Sequence, residues 1–254
     1  MFPSKVENAL SLNEGKQRGV ITLYVVLNDS GEILDYYIEN NNIVVSQNLT
    51  YMQTEDILEH LYTNGFERRI NELFTIAKAL ECKNQNKEAY WQKKERSKKL
   101  EKYQKLKSDV IVREFMSLYN FLTSKIAKDE GIPFYYRIQD DEYISGIVEG
   151  MGMYVDDYTR KILDNVYLES VYSTVPSKHA GLGYPYYGHS SDPLRRYPDF
   201  QNQYLFHQFL FKDMECDFDE YEFEEMAKYF NQRSIELSLL KGEFERETRL
   251  IKKK

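Results

Sequence analysis

The sequence predicts a mixed α/β (α+β) fold, rich in helix, with a small antiparallel sheet near the N-terminus. Three observations carry this. Gly19–Leu27 alternates and is rich in β-branched residues, Asn28–Asp29–Ser30–Gly31 has turn chemistry, and Glu32–Glu39 returns as a second strand. Farther along, apolar residues recur at helical spacing over several long stretches. Hydrophobic residues make up 42% of the 254, with 22 Tyr and 14 Phe, enough to build a core for one large domain or two small ones.

Taken in order, Ile43–Val45 adds a third short strand to the hairpin. Thr54 then caps a helix over Glu55–Tyr62, which Asn64–Gly65 breaks. Phe66, Ile70, Leu73, Ala77 and Leu80 stripe the next helix. A lysine-rich arm, residues 83–107, extends as helix or solvated segment, with Tyr90, Trp91 and Tyr103 among its charges. Ser108 caps an amphipathic helix through Ile111, Phe115, Leu118, Leu122 and Ile126, and Gly131–Ile132–Pro133 ends it before the strand-like Phe134–Ile138. Helices over Ile144–Gly150 and Asp156–Leu168 precede a glycine-rich loop. A helix opening at Pro193 runs to Phe211 with a kink or restart near Pro198, and Tyr221–Lys253 forms the last helix.

Charge and cysteine usage narrow the function classes. The formal charge of −7 argues against a uniformly basic nucleic-acid binder. Its distribution is uneven: Lys83–Lys107 holds nine lysines and one arginine against three glutamates, so it carries +7 and the remainder −14. Asp213–Glu225 balances it with eight acidic residues and no basic ones. Cys82 and Cys216 are the two cysteines, without zinc-type spacing, which suggests a reducing, cytoplasmic setting and no structural disulfide. No apolar run approaches membrane-spanning length and no signal-peptide core is present, so neither a membrane nor secretion is expected.

The densest chemistry lies in Tyr172–Asp199, YSTVPSKHAGLGYPYYGHSSDPLRRYPD. Glycines, two histidines and paired arginines in one loop suit a backbone bent around a polyanion. With Asp192 as N-cap and Pro193 as the first helical residue, Arg195 and Arg196 fall in a first turn, where a planar guanidinium suits phosphate. His179 and His189, ten residues apart in this loop, could be mistaken for metal ligands or an acid–base pair.

This stretch resembles the signature of the ribonuclease II/ribonuclease R (RNB) family. The matching residues are Tyr172–Ser173, His179–Ala180–Gly181–Leu182–Gly183, Tyr187, and His189 through Asp199. Gly19–Glu39 with Leu49–Thr50–Tyr51, the helix Ile111–Asn120 (IVREFMSLYN) and Pro133–Arg137 (PFYYR) are similar to earlier family segments. The resemblance implies a single partial RNB nuclease domain over residues 1–254, corresponding to the C-terminal two-thirds or so of the family domain. It also implies a 3′→5′ exoribonuclease that hydrolyses RNA to nucleoside 5′-monophosphates with Mg²⁺. Arg195 takes the place of the phosphate-contacting arginine. Arg196, His179, His189, Tyr187 and the arm residues Lys93, Lys94 and Lys98 are further RNA-binding candidates. Asp192 stands where the family has serine, and its carboxylate is expected to pair with the phosphate-facing arginine and repel RNA. The lysine arm takes the place of a family β-hairpin bearing a base-clamping aromatic. In the last helix, Lys241 or Gly242 falls near an expected glutamate, with Glu243 one or two positions away.

The family holds Mg²⁺ with clustered aspartates upstream of the segment matching Gly19, and Met1–Arg18 contains none. Two-metal chemistry needs carboxylates converging on ions about 3.5–4 Å apart, and Asp140–Asp141 and Asp156–Asp157 lack that pattern. No Mg²⁺ is therefore expected to be caged by this chain alone. Two readings follow: a ribonuclease piece that works with a separate polypeptide carrying the aspartates, or a catalytically dead RNA-binding or protein-interaction module. The first also predicts apolar surface beside the Gly19–Glu39 hairpin, or a partner covering it.

Overall fold

The structure is a computed structural model that describes residues 2–62, 64–85, 106–139, 170–212 and 219–251. The single domain expected from the sequence contains two compact units. The first comprises residues up to Thr123 together with 190–215; the second comprises 124–189 and the chain from Cys216 onward.

In the first unit a short helix, α1 (Ser4–Leu10), leads into a two-stranded antiparallel sheet, β1 (Gln17–Leu27) and β2 (Ile33–Val44). The ladder runs from Gln17↔Val44 to Leu27↔Ile33 with one slip after Val26. The expected third strand is the far end of β2: Asn40, Asn41 and Asn42 stay in register opposite Ile21, Val20 and Gly19, so this polar run does not break the strand. In the turn, the Asn28 side-chain oxygen accepts the Ser30 and Glu32 N–H groups at 3.1 and 2.8 Å. Gly31 has φ +76°, and a Cβ there would lie 3.1 Å from the Ala79 backbone.

One sheet face, carrying Leu23, Val25, Leu27, Ile33 and Tyr36, packs against Leu80, Leu118 and Leu122. The hairpin's exposed apolar residues are Tyr24, Val26, Leu34, Tyr37 and Val44, and the Tyr24 and Tyr37 rings stack at 4.6 Å.

Helix α2 (Tyr51–Leu58) starts earlier than the sequence reading placed it. Thr50 and Gln53 form a reciprocal capping box, and the Thr54 hydroxyl donates to the Thr50 carbonyl within the helix. Helix α3 (Gly65–Gln85) buries Ala77 and Leu80, whereas Leu73 is exposed. Helix α4 (Lys107–Asp129) is not capped by Ser108: Glu55 accepts the Ser108 N–H at 2.7 Å and its hydroxyl at 2.6 Å. A carboxylate from α2 thus takes the work of a local cap. Across α3 and α4, Arg113 pairs with buried Glu81 at 2.6 Å and buried Glu114 at 2.9 Å, while Lys78 pairs with Glu81 and Asn84 donates to Glu114. The unit closes with α5 (Tyr197–Phe211).

In the second unit, β3 (Tyr136–Ile138) pairs antiparallel with β4 (Val171–Ser173). The long helix α6 (Glu220–Ile251) buries Phe223, Ala227, Phe230, Asn231 and Ile235. The Asn231 amide meets both polar atoms of the Tyr172 backbone, at 2.7 and 2.8 Å, and the Phe223 and Phe230 rings meet Tyr135 at 4.1 and 5.0 Å. A side-chain amide thereby completes the edge of β4.

The lysine arm from Lys87 to Lys105, with Lys93, Lys94 and Lys98, lies outside the described residues, as do the two helices expected between Ile144 and Leu168. No helix among the described residues is long and apolar enough to cross a membrane.

Candidate nucleic-acid interface

The signature stretch contributes a separate piece to each unit. In the first, Ser190 is 1% exposed and tied down on three sides. Its N–H donates to the Asn120 side chain at 2.9 Å, its hydroxyl meets Thr123 Oγ1 at 2.7 Å, and its carbonyl accepts from Gln203 Nε2 at 2.6 Å. Asn120 and Thr123 come from α4 and Gln203 from α5, so two helices fix the start of the Ser190–Asp199 loop.

The helix expected to open at Pro193 does not. Pro193–Arg195 forms a turn, with the Arg196 N–H donating to the Asp192 carbonyl at 3.1 Å, and α5 begins only at Tyr197. Pro198 is the reason. A helix from Pro193 would need an N–H at position 198 for the Leu194 carbonyl, and the ring would clash with that carbonyl; proline is tolerated only in a first turn. Asp192 is consequently not an N-cap.

The paired arginines face different environments. Arg196 is largely buried and donates from Nη2 to Asp199 Oδ2 at 2.8 Å. Asp199 is fully buried, and the same Oδ2 accepts the Asp192 N–H at 2.9 Å. Arg196 Nε and Asp199 Oδ1 are buried without a hydrogen-bond partner. Burial pushes the Asp199 carboxyl above its ordinary pKa, and the charge and hydrogen bond of Arg196 do not bring it back. The nearby Tyr119 phenol is pushed up to about 12 by burial, with a smaller contribution from the Asp199 charge. Arg195 is the exposed member, 60% accessible, and its Nε pairs with Asp192, as the sequence expected of that carboxylate. An exposed guanidinium on a loop held by buried bonds can present two parallel donors to a phosphate once Asp192 releases it.

In the second unit His179 is part of the loop's architecture, whereas His189 is half-buried. His179 is buried; its N–H donates to the Tyr184 carbonyl and its own carbonyl accepts from Leu182 and Gly183 around a 3₁₀ turn. Gly183 supplies the left-handed residue, φ +64°, that ends this turn. Gln139 braces the loop by accepting the Gly181 N–H at 2.6 Å. Tyr187 is also buried, with the His179 and His189 rings edge-on to it at 5.5 and 5.6 Å. Tyr187 and His179 thus hold the loop rather than present a surface.

Sequence reasoning missed the anchors Asn120, Thr123 and Gln203. Asn120 ends the IVREFMSLYN segment, which was the available signal; the other two are visible only through long-range contacts. Among the described residues no group of three or more His, Cys, Asp or Glu side chains is placed to hold a metal ion. Asp140, Asp141, Asp156 and Asp157 lie outside the described residues.

Comparison with known proteins agrees with this architecture. Ribonuclease R of Mycoplasmopsis pulmonis (strain UAB CTIP) is 24% identical over 258 residues, covering 83% of this chain and 35% of that protein. Mycoplasma genitalium RNase R, solved with ribose-methylated single-stranded RNA, superposes with a TM-score of 0.70 at 16% identity, covering 98% of this chain and 46% of that one. Yeast Ssd1, described as a pseudonuclease, gives 0.64 at 16% identity, covering 92% and 34%. The chain thus spans about a third of the curated relative and less than half of either solved one. The family model for the RNB domain matches residues 1–212, and the chain belongs to the RNB domain family.

Proposed function

We propose that this chain binds single-stranded RNA and grips a backbone phosphate at Arg195, as part of RNB-type 3′→5′ exoribonucleolytic degradation. The observation that carries the reading is the exposed Arg195 guanidinium on a loop immobilised through Ser190, Arg196 and Asp199. A cation on a rigid loop loses little entropy on meeting phosphate. In this proposal hydrolysis requires Mg²⁺ and carboxylates from a separate polypeptide, so the chain alone binds RNA without cutting it. A second reading, an RNA-binding module with no hydrolytic role, is favoured by the Asp192–Arg195 pair, which opposes anion capture.

The test uses end-labelled RNA with Mg²⁺ and the full chain. Binding that Arg195→Ala weakens, without release of mononucleotides, is the expected result. Release of mononucleotides by the chain alone would overturn the assignment of cleavage to another polypeptide, and binding unchanged by Arg195→Ala would overturn the phosphate grip.

A further inference from the structure

We propose that Tyr197 and Tyr204 on α5 form a stacking platform for the bases of the single-stranded RNA whose phosphate meets Arg195. The proposal rests on the reading of Arg195 above and adds the part of the ligand that lies beyond the phosphate.

Residues 197, 201 and 204 follow helical spacing and share one line along α5. Both tyrosines stand about half exposed, whereas Asp199, Asn202 and Phe206 of the same helix are buried and anchor its opposite side. The rings therefore contribute little to the core. Tyr197 is nevertheless held: the Gln201 amide donates to its hydroxyl, and its ring lies against Phe200 at 6.2 Å, which in turn meets Phe2 edge-on at 5.3 Å. A pre-positioned ring loses little rotamer entropy when a base lands on it.

Charge selects the occupant. The chain has 41 acidic residues, yet the one acid within α5 is Asp199, which is fully buried. Exposed cations bracket the stripe, Arg195 before it and Lys212 at its C-terminal cap. Its large exposed apolar side chains are the two tyrosines, with no exposed Leu, Ile, Val or Met of the kind that fills a partner protein's pocket. Cation, ring, amide, ring, cation is the pattern that pairs base stacking with backbone charge. Seven residues of helix span about 10 Å, room for two or three nucleotides of a single strand.

The experiment titrates the full-length chain with labelled oligoadenylate and with its abasic counterpart. Tyr197→Leu and Tyr204→Leu are each expected to weaken oligoadenylate binding roughly 5- to 150-fold. Tyr→Phe at either site keeps the ring and is expected to bind within about twofold of the parent. The abasic strand is expected to bind the parent and the Leu variants alike, and 2-aminopurine in the oligonucleotide is expected to lose more fluorescence on the parent and the Phe variants than on the Leu variants. Leu variants that bind oligoadenylate as tightly as the parent overturn the platform. If Arg195→Ala still weakens binding in that case, the phosphate grip survives without it. A parent chain that binds neither strand overturns both.

Discussion

Arg195 and Arg196 share a peptide bond but differ in role because one carboxylate near them is buried and the other is not. Replacing Arg195 by Ala is expected to weaken RNA binding about tenfold and to reduce the salt slope by about 0.7, measured by titration at several ionic strengths. Asp192→Ser removes a competing charge, and since an exposed ion pair is worth at most about 1 kcal/mol, the gain in affinity should reach about fivefold. Asp199 is a stability residue. Asp199→Ala is expected to cost about 2–4 kcal/mol in urea unfolding, because Arg196 and the Asp192 N–H both lose their acceptor. The sign of its pH dependence follows from its raised pKa. Between the ordinary carboxylate value of about 4 and the higher native one, the native state holds a proton that the unfolded chain has released, so stability falls as pH rises. The stability of the parent relative to Asp199→Asn should therefore decline as pH climbs through that window.

Among the elements, α3 and α4 are joined by a carboxylate of opposite pH behaviour. Burial raises Glu81, but the hydrogen bonds and charges of Lys78 and Arg113 outweigh it and hold the group below the ordinary range. Its contribution is present above the unfolded pKa and is lost as pH falls through the native one. Arg113→Ala should cost about 1–2 kcal/mol near neutrality, discounted for the partly exposed arginine, and progressively less in acid. At the hairpin turn, Gly31→Ala is expected to cost about 1–3 kcal/mol in thermal or urea unfolding, since φ is positive and the α3 backbone leaves no room. The hairpin and the long helices were legible in the sequence because alternation and helical spacing are local signals. Starts and stops were less so. Thr54 drew attention away from the Thr50–Gln53 box, Glu55 capped α4 from another helix, and Pro198 moved the start of α5. At the site, the pairing of Asp192 with Arg195 was legible because the residues lie three apart; Asn120, Thr123 and Gln203 were not, since nothing local marks a side chain that braces a loop tens of residues away.

For the whole molecule, charge is the governing quantity. Residues 83–107 carry +7 against −14 in the rest, so any polyanion approaches a surface that mostly repels it. Replacing Lys93, Lys94 and Lys98 together by Ala is expected to cut the salt slope of RNA binding by about two; an unchanged slope would remove the arm from the interface. The hairpin's exposed Tyr24, Val26, Leu34 and Tyr37 stand beside Asp35 and Glu39, an acidic setting poorly suited to nucleic acid. The Asp192–Arg195 pair sets a last condition. Asp192 is a resident anion tethered to the loop, so a rival must match a local concentration on the order of millimolar. A free mononucleotide cannot sustain that at ordinary dilution, whereas a strand already held by neighbouring contacts delivers its next phosphate at comparable density. If Arg195 grips RNA as proposed, this one side chain favours length over identity.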